Sequence, residues 1–346
     1  MIEIAGRPIS DSQPCFVIAE IGVNHNGCMK TARRLIEAAA YSGADAVKFQ
    51  IFRTDDLVAK NTPTASYQNK NCGARSQNDM LRALELTAPQ FTELQRAAQA
   101  KGLVFLSTAF DESSLQTVTE IGVPAIKWPS GELTNWPLLA KAIEYGRPII
   151  LSTGMASLAE VEATIAFVAD KVPLVVLQCV SDYPSPLEEQ NLRTLDRFKA
   201  KFNVDVGFSD HTLGVEAAII ARAKGMCVWE KHLTLSRELP GPDHKASIEP
   251  TEFKAMIEAI RQVELSLGDG VKVPNVRELE TRDLVRKSLY FRHSLSKGHY
   301  VSIDDFVAKR PGDGLPPNQV ESIVGLALQR TVQANERVAL SDFRHD

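Results

Sequence analysis

No run of this chain approaches the roughly 20 consecutive apolar residues a membrane-crossing helix needs, so no membrane partner is expected. The opening MIEIAGRP lacks the basic start and long apolar core of a secretion signal. Cysteine is sparse: five in 346 residues (Cys15, Cys28, Cys72, Cys179, Cys227), odd in number, scattered, and without a C-x-x-C pair. They read as reduced thiols in a cytoplasmic protein. Excess positive charge is absent too. With 39 Lys+Arg against 43 Asp+Glu the net charge is -4, so no global cationic field favours nucleic acid, although a local cationic pocket for a small anion is allowed. No G-x-G-x-x-G turn follows the first apolar run, which argues against an open doubly wound sheet.

What the chain does have is a repeated pattern of short apolar runs that end in polar or ionisable residues. Phe16–Ala19 stops at Glu20, Ala46-Val47 at Lys48, Val104–Leu106 at Ser107-Thr108, and Ala125-Ile126 at Lys127. Pro148–Leu151 stops at Ser152-Thr153 and Leu174–Leu177 at Gln178-Cys179. Val206–Phe208 runs into Ser209-Asp210-His211, and Val228-Trp229 into Glu230-Lys231-His232. Helical periodicity fills the gaps, as in Met29–Tyr41, Pro89–Ala100, Asp111–Ile121, Trp136–Tyr145, Leu158–Ala169, Leu192–Lys201, Val215–Lys224 and Thr251–Leu267. Strand, loop, helix and loop, repeated eight times, predict an α/β fold, a (β/α)8 TIM barrel over residues 1–268. The carboxyl ends of its strands would place two carboxylates, three lysines, two histidines and several hydroxyls around one mouth.

Residues 54–86 break the rhythm: about 30 residues without clear periodicity, including Tyr67, Gln68, Cys72, Ser76 and Gln77. They read equally as a functional loop at the mouth or as a variable surface loop. After residue 268 comes a connecting segment, 269–285, with a charged helix over Asn275–Arg286. Residues 286–346 then read as a small separate domain with short β-like runs at Ser288–Phe291, His299–Ile303, Phe306–Ala308 and Val338-Ala339. A unit that small has a marginal core and commonly leans on a partner. Its turn at Arg310–Pro317 (RPGDGLPP) holds Arg310 in a tight bend.

Two constellations carry chemistry. His211 and His232 end neighbouring strands, so both imidazoles can reach one divalent cation acting as a Lewis acid. Mn2+ suits nitrogen ligands better than Mg2+, which prefers oxygen; Co2+ is a further alternative. Hydrogen-bonded strand-end histidines are the plainer reading, and Glu230 or Asp210 would orient the rings if a metal binds. Lys48 and Lys127 end buried strands where an unpaired ammonium is costly. Their partners would be a ligand phosphate or carboxylate, with Thr108, Ser130, Ser152 and Ser209 adding donors around the rim. A structural ion pair, Lys48 with Glu20, and a Schiff-base lysine are the alternatives, the last weakened by the imidazole pair. Glu20 could order a water or accept a sugar hydroxyl. His25 reads as a structural hydrogen-bonder, Asp243 equally as a hydroxyl binder or a turn residue, and Cys179 as a small core residue with no assignable histidine to activate it.

Taken in order, EIGVNHNG (20–27), VKFQ (47–50), LSTAF (106–110), IKWPSGE (126–132), ILSTGM (150–155), GFSDHT (207–212) and EKHLT (230–234) resemble the sialic acid synthase family. VAKRPGDG (307–314) is similar to that family's C-terminal antifreeze-like, or SAF, domain. The resemblance implies a phosphoenolpyruvate-dependent, aldol-type condensation with the open-chain aldehyde of an N-acylated hexosamine. It implies metal on His211 and His232, and phosphoenolpyruvate on Lys48, Thr108, Lys127, Ser130, Ser152 and Ser209. It implies sugar contacts from Glu20, Gln50, Tyr183, Glu230 and Asp243, with Glu20 handling water or substrate protons. A domain-swapped homodimer would bring Arg310 to the N-acyl group in the partner's site.

Ser181 stands where some N-acetylneuraminate synthases have Asn. With GPDHKAS (241–247), the loop at 65–86 and VRKSL (285–289), it looks closer to N,N'-diacetyllegionaminate synthases, whose sugar is a 6-deoxy diacetamido hexose. Two competing readings are a Schiff-base pyruvate aldolase on Lys127 or Lys48, and a non-catalytic binding protein whose tail acts on ice or a partner surface. A pure binder has no need of so many ionisable groups on one rim.

Overall fold

The structure is a computed structural model that describes residues 2–60, 62–64 and 76–344. It divides into two units, Met1–Gly268 and Asp269–Asp346.

The first unit is the expected (β/α)8 barrel. After a hairpin, β1 (Ile2–Ile4) with β2 (Arg7–Ile9), eight parallel strands close on themselves. They are β3 (Phe16–Gly22), β4 (Ala46–Ile51), β5 (Val104–Ala109), β6 (Ile126–Trp128), β7 (Ile149–Ser152), β8 (Leu174–Cys179), β9 (Asp205–Asp210) and β10 (Val228–His232). β10 returns to pair with β3, His232 opposite Glu20.

These strands are buried on both faces, which is why they read as continuous apolar runs rather than alternating ones. The period of two still sorts the side chains. Val17, Ala19, Val47, Phe49, Phe105, Trp128 and Trp229 pack with the surrounding helices. Phe16, Ile18, Ala46, Leu106, Ala125, Ile150, Val175, Leu177 and Val228 form a second cluster with Ile2, Ile4 and Ile9 of the hairpin. The hairpin, which sequence reading did not anticipate, thus closes the amino-terminal end of the barrel. Continuing each inner column by two residues leads to the mouth: Ile18 to Glu20, Ala46 to Lys48, Leu106 to Thr108, Ala125 to Lys127, Ile150 to Ser152, Leu177 to Cys179, and Val228 to Glu230.

The helices follow the predicted spans within one or two residues, as at α1 (Met29–Ser42) and α10 (Pro250–Leu267). Gly43 closes α1 in the left-handed region at φ 85°, where a side chain would be strained. The 54–86 stretch corrects one expectation. It holds two short helices, α2 (Thr54–Leu57) and α3 (Gln77–Arg82), the second capped by Ser76 accepting from the Asp79 amide. Neither is long enough to display a 3.6-residue period. Tyr67, Gln68 and Cys72 lie outside the described residues.

The second unit begins with a helix, α11 (Val276–Val285), and has its own core of Leu289, Phe291, Val301, Phe306, Ile323, Leu328, Val332, Val338 and Phe343. β11 (Ser288–Phe291) and β12 (Phe306–Lys309) pair antiparallel. The other two predicted β-like runs are not strands. Tyr300 makes only an isolated bridge with Ala327, because the turns around it leave no room for a ladder, and Val338-Ala339 leads into a 3-10 turn at Leu340–Asp342. Ser288 Oγ donates to the Pro311 carbonyl at 2.8 Å and accepts from the Gly314 amide at 2.8 Å, which pins the turn carrying the exposed Arg310.

Candidate active site

At the carboxyl ends of the strands a cavity of about 580 Å³ opens. Its floor is a cage of four buried charges. Lys48 Nζ lies 2.8 Å from Glu20 Oε2 and 3.9 Å from Glu230 Oε2, and Lys127 Nζ lies 3.4 Å from Glu230 Oε1. Lys48 also donates to Thr108 Oγ1 at 3.2 Å, Lys127 to Ser152 Oγ at 2.8 Å, and Ser209 Oγ to Glu230 Oε1 at 3.2 Å. Gln50 Nε2 donates to Glu20 Oε1 at 2.9 Å. The ion pair weighed from sequence, Lys48 with Glu20, is therefore present, and both partners face the cavity.

The four charges balance formally, but burial sets them apart. Burial, and then the like charge of Glu230, push the Glu20 carboxyl above its ordinary range even though Lys48 opposes it. Burial also disfavours charge on Glu230, yet Lys127 and Lys48 more than offset it and hold its pKa down. Lys48, against the effect of burial, is held up by the two carboxylates. Lys127 is drawn below the usual lysine value by burial, which Glu230 only partly counters. An incoming dianion would favour the charged form of Lys127.

Serine hydroxyls and one glycine complete this end. Ser130 Oγ accepts from the Gly154 amide at 2.8 Å. A Cβ on Gly154 would sit 2.2 Å from Ser181 Oγ and 2.8 Å from Ser130 Oγ, so only glycine lets both hydroxyls approach this backbone.

Beside the cage, the rings of His211 and His232 stand with centroids 5.5 Å apart. The Tyr183 ring lies 4.1 Å from the first and 5.8 Å, edge-on, from the second. His211 Nδ1 donates to the Val180 carbonyl at 2.7 Å; against burial, Cys179 and that carbonyl raise its pKa above the ordinary imidazole value, and Nε2 carries a lone pair when the ring is neutral. His232 Nδ1 is buried with no hydrogen-bond partner among the described residues, 3.9 Å from Asp243 Oδ2. Burial first, and then the positive charge of His211, drive His232 well below the ordinary imidazole value. A neutral imidazole with a free nitrogen, next to a second one of fixed tautomer, fits a divalent transition ion that keeps positions open. The two imidazoles are the residues that would hold such an ion; no group of three or more His, Cys, Asp or Glu side chains placed to do so occurs among the described residues. Asp243, also at the rim, has its pKa raised to about 6 by burial and by the Glu20 carboxylate.

The expectations for Asp210, Lys231 and Cys179 need correction, while those for His25 and for the place of Arg310 agree with the structure. Asp210 and Lys231 belong to the outward column of their strands. They pair with each other at 3.0 Å, Lys231 donates to the Thr212 carbonyl at 2.7 Å, and Asp210 accepts from Thr212 and Trp229. Asp210 therefore does not orient the imidazoles, and of the three strand-end lysines Lys48 and Lys127 face the mouth while Lys231 does not. The position of Asp210 and Lys231 between inward residues (Ser209 and His211, Glu230 and His232) already carries that signal. Cys179 is not simply core: its Sγ lines the cavity 4.0 Å from His211 Nδ1, a neighbour that sequence reading did not assign. His25 is structural, its Nδ1 accepting from the Gly27 amide at 3.0 Å. Arg310 belongs to the second unit.

Sequence reasoning also missed the apolar part of the lining: Val23, Phe52, Phe110, Leu57, Met80, Leu81 and Leu84. The first three follow strand ends by one or more residues, a position where an apolar side chain has no core to enter unless the loops fold back.

Residues 35–272 match the model of the NeuB family, and residues 286–344 match that of the SAF domain. The chain is 43% identical over 335 residues to the N,N'-diacetyllegionaminic acid synthase of Legionella pneumophila, covering 95% of this chain and 94% of that one. It is 40% identical over 328 residues to the enzyme of the same name in Campylobacter jejuni, covering 93% and 98%. The human N-acetylneuraminate-9-phosphate synthase is 32% identical over 336 residues, covering 96% and 94%. Among solved structures, the N-acetylneuraminic acid synthetase of Leptospira borgpetersenii superposes with a TM-score of 0.73 at 32% identity, covering 81% of this chain and 94% of that one. With the barrel, the cage and the imidazole pair in place, these likenesses decide the family: the chain belongs to the NeuB family and ends in a SAF domain.

Proposed function

We propose that this chain is a nonulosonic acid synthase. It would join phosphoenolpyruvate to an N-acylated hexosamine and release phosphate, with N,N'-diacetyllegionaminate favoured over N-acetylneuraminate as the product. The observation that carries this reading is the juxtaposition of a two-lysine, four-hydroxyl cage with a pair of neutral-capable imidazoles at one mouth. The cage suits a small donor bearing a phosphate and a carboxylate. The names of the relatives at 43% and 40% identity support the legionaminate choice.

In the reaction, C3 of phosphoenolpyruvate bonds to the aldehyde carbon of the sugar, whose oxygen becomes a hydroxyl by gaining a proton. Water adds at C2, loses a proton, and the C2–O bond to phosphate breaks. Lys48, Lys127, Thr108, Ser130, Ser152 and Ser209 hold the donor and spread its charge over fixed donors. Glu20, whose basicity is raised by burial, serves the incoming water or a substrate proton, and Gln50 keeps its carboxylate oriented. Glu230 and Asp243 offer acceptors to sugar hydroxyls, and the Tyr183 ring supplies a flat wall. His211 and His232 would hold a divalent metal, Mn2+ by the chemistry of the nitrogen ligands, whose contribution is to polarise a carbonyl. We propose further that two copies exchange their SAF domains, and that Arg310 of one contacts the N-acyl group in the other.

Phosphate release should require phosphoenolpyruvate, an N-acylated hexosamine and a divalent ion together; activity that survives exhaustive chelation would sink the metal-assisted reading. For the exchange, inactive Arg310→Ala and Lys48→Met chains should regain activity when mixed, through dimers that hold one intact site. Mixtures that stay inactive although the subunits demonstrably exchange would count against it.

A further inference from the structure

The cavity is two-sided. The inner strand ends carry the charged cage, while loops after the first three barrel strands present an apolar surface: Val23 after β3, Phe52 after β4 and Phe110 after β5. Val23, Phe52, Met80 and Leu84 are buried and form one cluster, against which Leu57, Leu81 and Phe110 pack. Met80 and Leu81 belong to α3, and Leu84 follows it, so the described part of the insertion contributes apolar side chains to the lining. The surface begins next to the Glu20 and Gln50 pair, since Val23 follows Gly22, whose added Cβ would lie 3.0 Å from Glu20 Oε1 and 3.2 Å from Gln50 Nε2.

Resting on the synthase reading, we infer that this wall, of which Met80 and Val23 are part, selects the sugar by the end remote from its aldehyde. The aldehyde carbon has to lie beside the donor in the cage, so the far end of the sugar is what meets the wall. An apolar wall accepts methyl groups, both a deoxy carbon and an acylamino methyl. A hydroxyl pressed against it gives up its hydrogen bonds to water and finds no replacement. The wall therefore favours a hexosamine whose far end carries a methyl group in place of a hydroxyl.

The experiment compares kcat/KM for 2,4-diacetamido-2,4,6-trideoxy-mannose and for N-acetylmannosamine, using the full chain with Mn2+ and phosphoenolpyruvate. The unmodified protein should favour the first by about 100-fold, the order of discrimination an apolar pocket gives. Met80→Gln and Val23→Thr should each lower that ratio about tenfold, while Met80→Leu should keep it within about threefold. Val23→Thr preserves shape and so stands in if Met80→Gln does not fold. A ratio unmoved in variants that still turn over, or a preference of the unmodified protein for N-acetylmannosamine, overturns the inference and leaves the synthase reading intact. Absence of phosphate release with either sugar overturns both.

Discussion

Lys48 Nζ sits 2.8 Å from Glu20 Oε2, with both side chains almost wholly out of solvent and both facing a cavity. The pair is a structural ion pair in the cavity lining, each partner compensating the other's charge. Removing one partner of a buried pair typically costs about 3–5 kcal/mol, since the other is left uncompensated. Lys48→Met and Glu20→Gln should each lower stability on that order, and the double variant should lose clearly less than their sum. Urea unfolding of the four proteins measures the coupling, and strict additivity would show that the two charges do not support each other.

The imidazole pair is expected to bind Mn2+ without any substrate. Calorimetry should detect binding to the unmodified chain and a loss of about 100-fold or more in affinity for His211→Ala and for His232→Ala. Equal affinity in all three proteins would place the ion elsewhere.

His25 is buried, and burial lowers its pKa to about 4 from an ordinary imidazole value of 6.5. The folded state thus binds this proton less readily than the unfolded state. Its stability is fully present above pH 6.5 and declines as pH falls towards 4. The swing attributable to this group is about 3 kcal/mol. His25→Gln, which cannot titrate, should remove that part of the difference in unfolding free energy between pH 7 and pH 4. An unchanged pH slope in the variant would mean that His25 is protonated without penalty.

Gly154→Ala should raise the KM for phosphoenolpyruvate at least about tenfold while the circular dichroism spectrum stays that of a barrel. The added methyl collides with Ser181 Oγ and Ser130 Oγ at 2.2 and 2.8 Å. A variant with unaltered KM would show that neither hydroxyl takes part in donor binding.

Lys127 has the burial and the lowered pKa that a Schiff-base lysine would need, but it is held by Ser152 and Glu230. Borohydride added in the presence of pyruvate should leave the mass of the protein unchanged. A reduced adduct mapped to Lys127 would revive the imine mechanism.

The barrel was legible in the sequence because every strand ends at the same kind of boundary: an apolar run, then a polar residue. Strand-end position alone groups Glu20, Lys48, Lys127, Glu230 and the histidines, but it takes in Asp210 and Lys231 as well. Period-two alternation along the same strands is the rule that separates those two from the rest. The hairpin at Ile2–Ile9 escaped notice because three-residue strands show no period, and α2 and α3 for the same reason.

Residue order along the chain determined which side chains could point inward and at what height in the barrel, because strand pleating is a local property of the backbone. Only the tertiary structure decided who stands beside whom. Closure of β10 onto β3 brings His232 opposite Glu20 from more than 200 positions away. The fold-back of α3 turns Met80 and Leu84 into part of the cavity wall. Neither contact is encoded by local periodicity; each follows from the register of a closed sheet and from burying apolar area that the loops would otherwise leave in water.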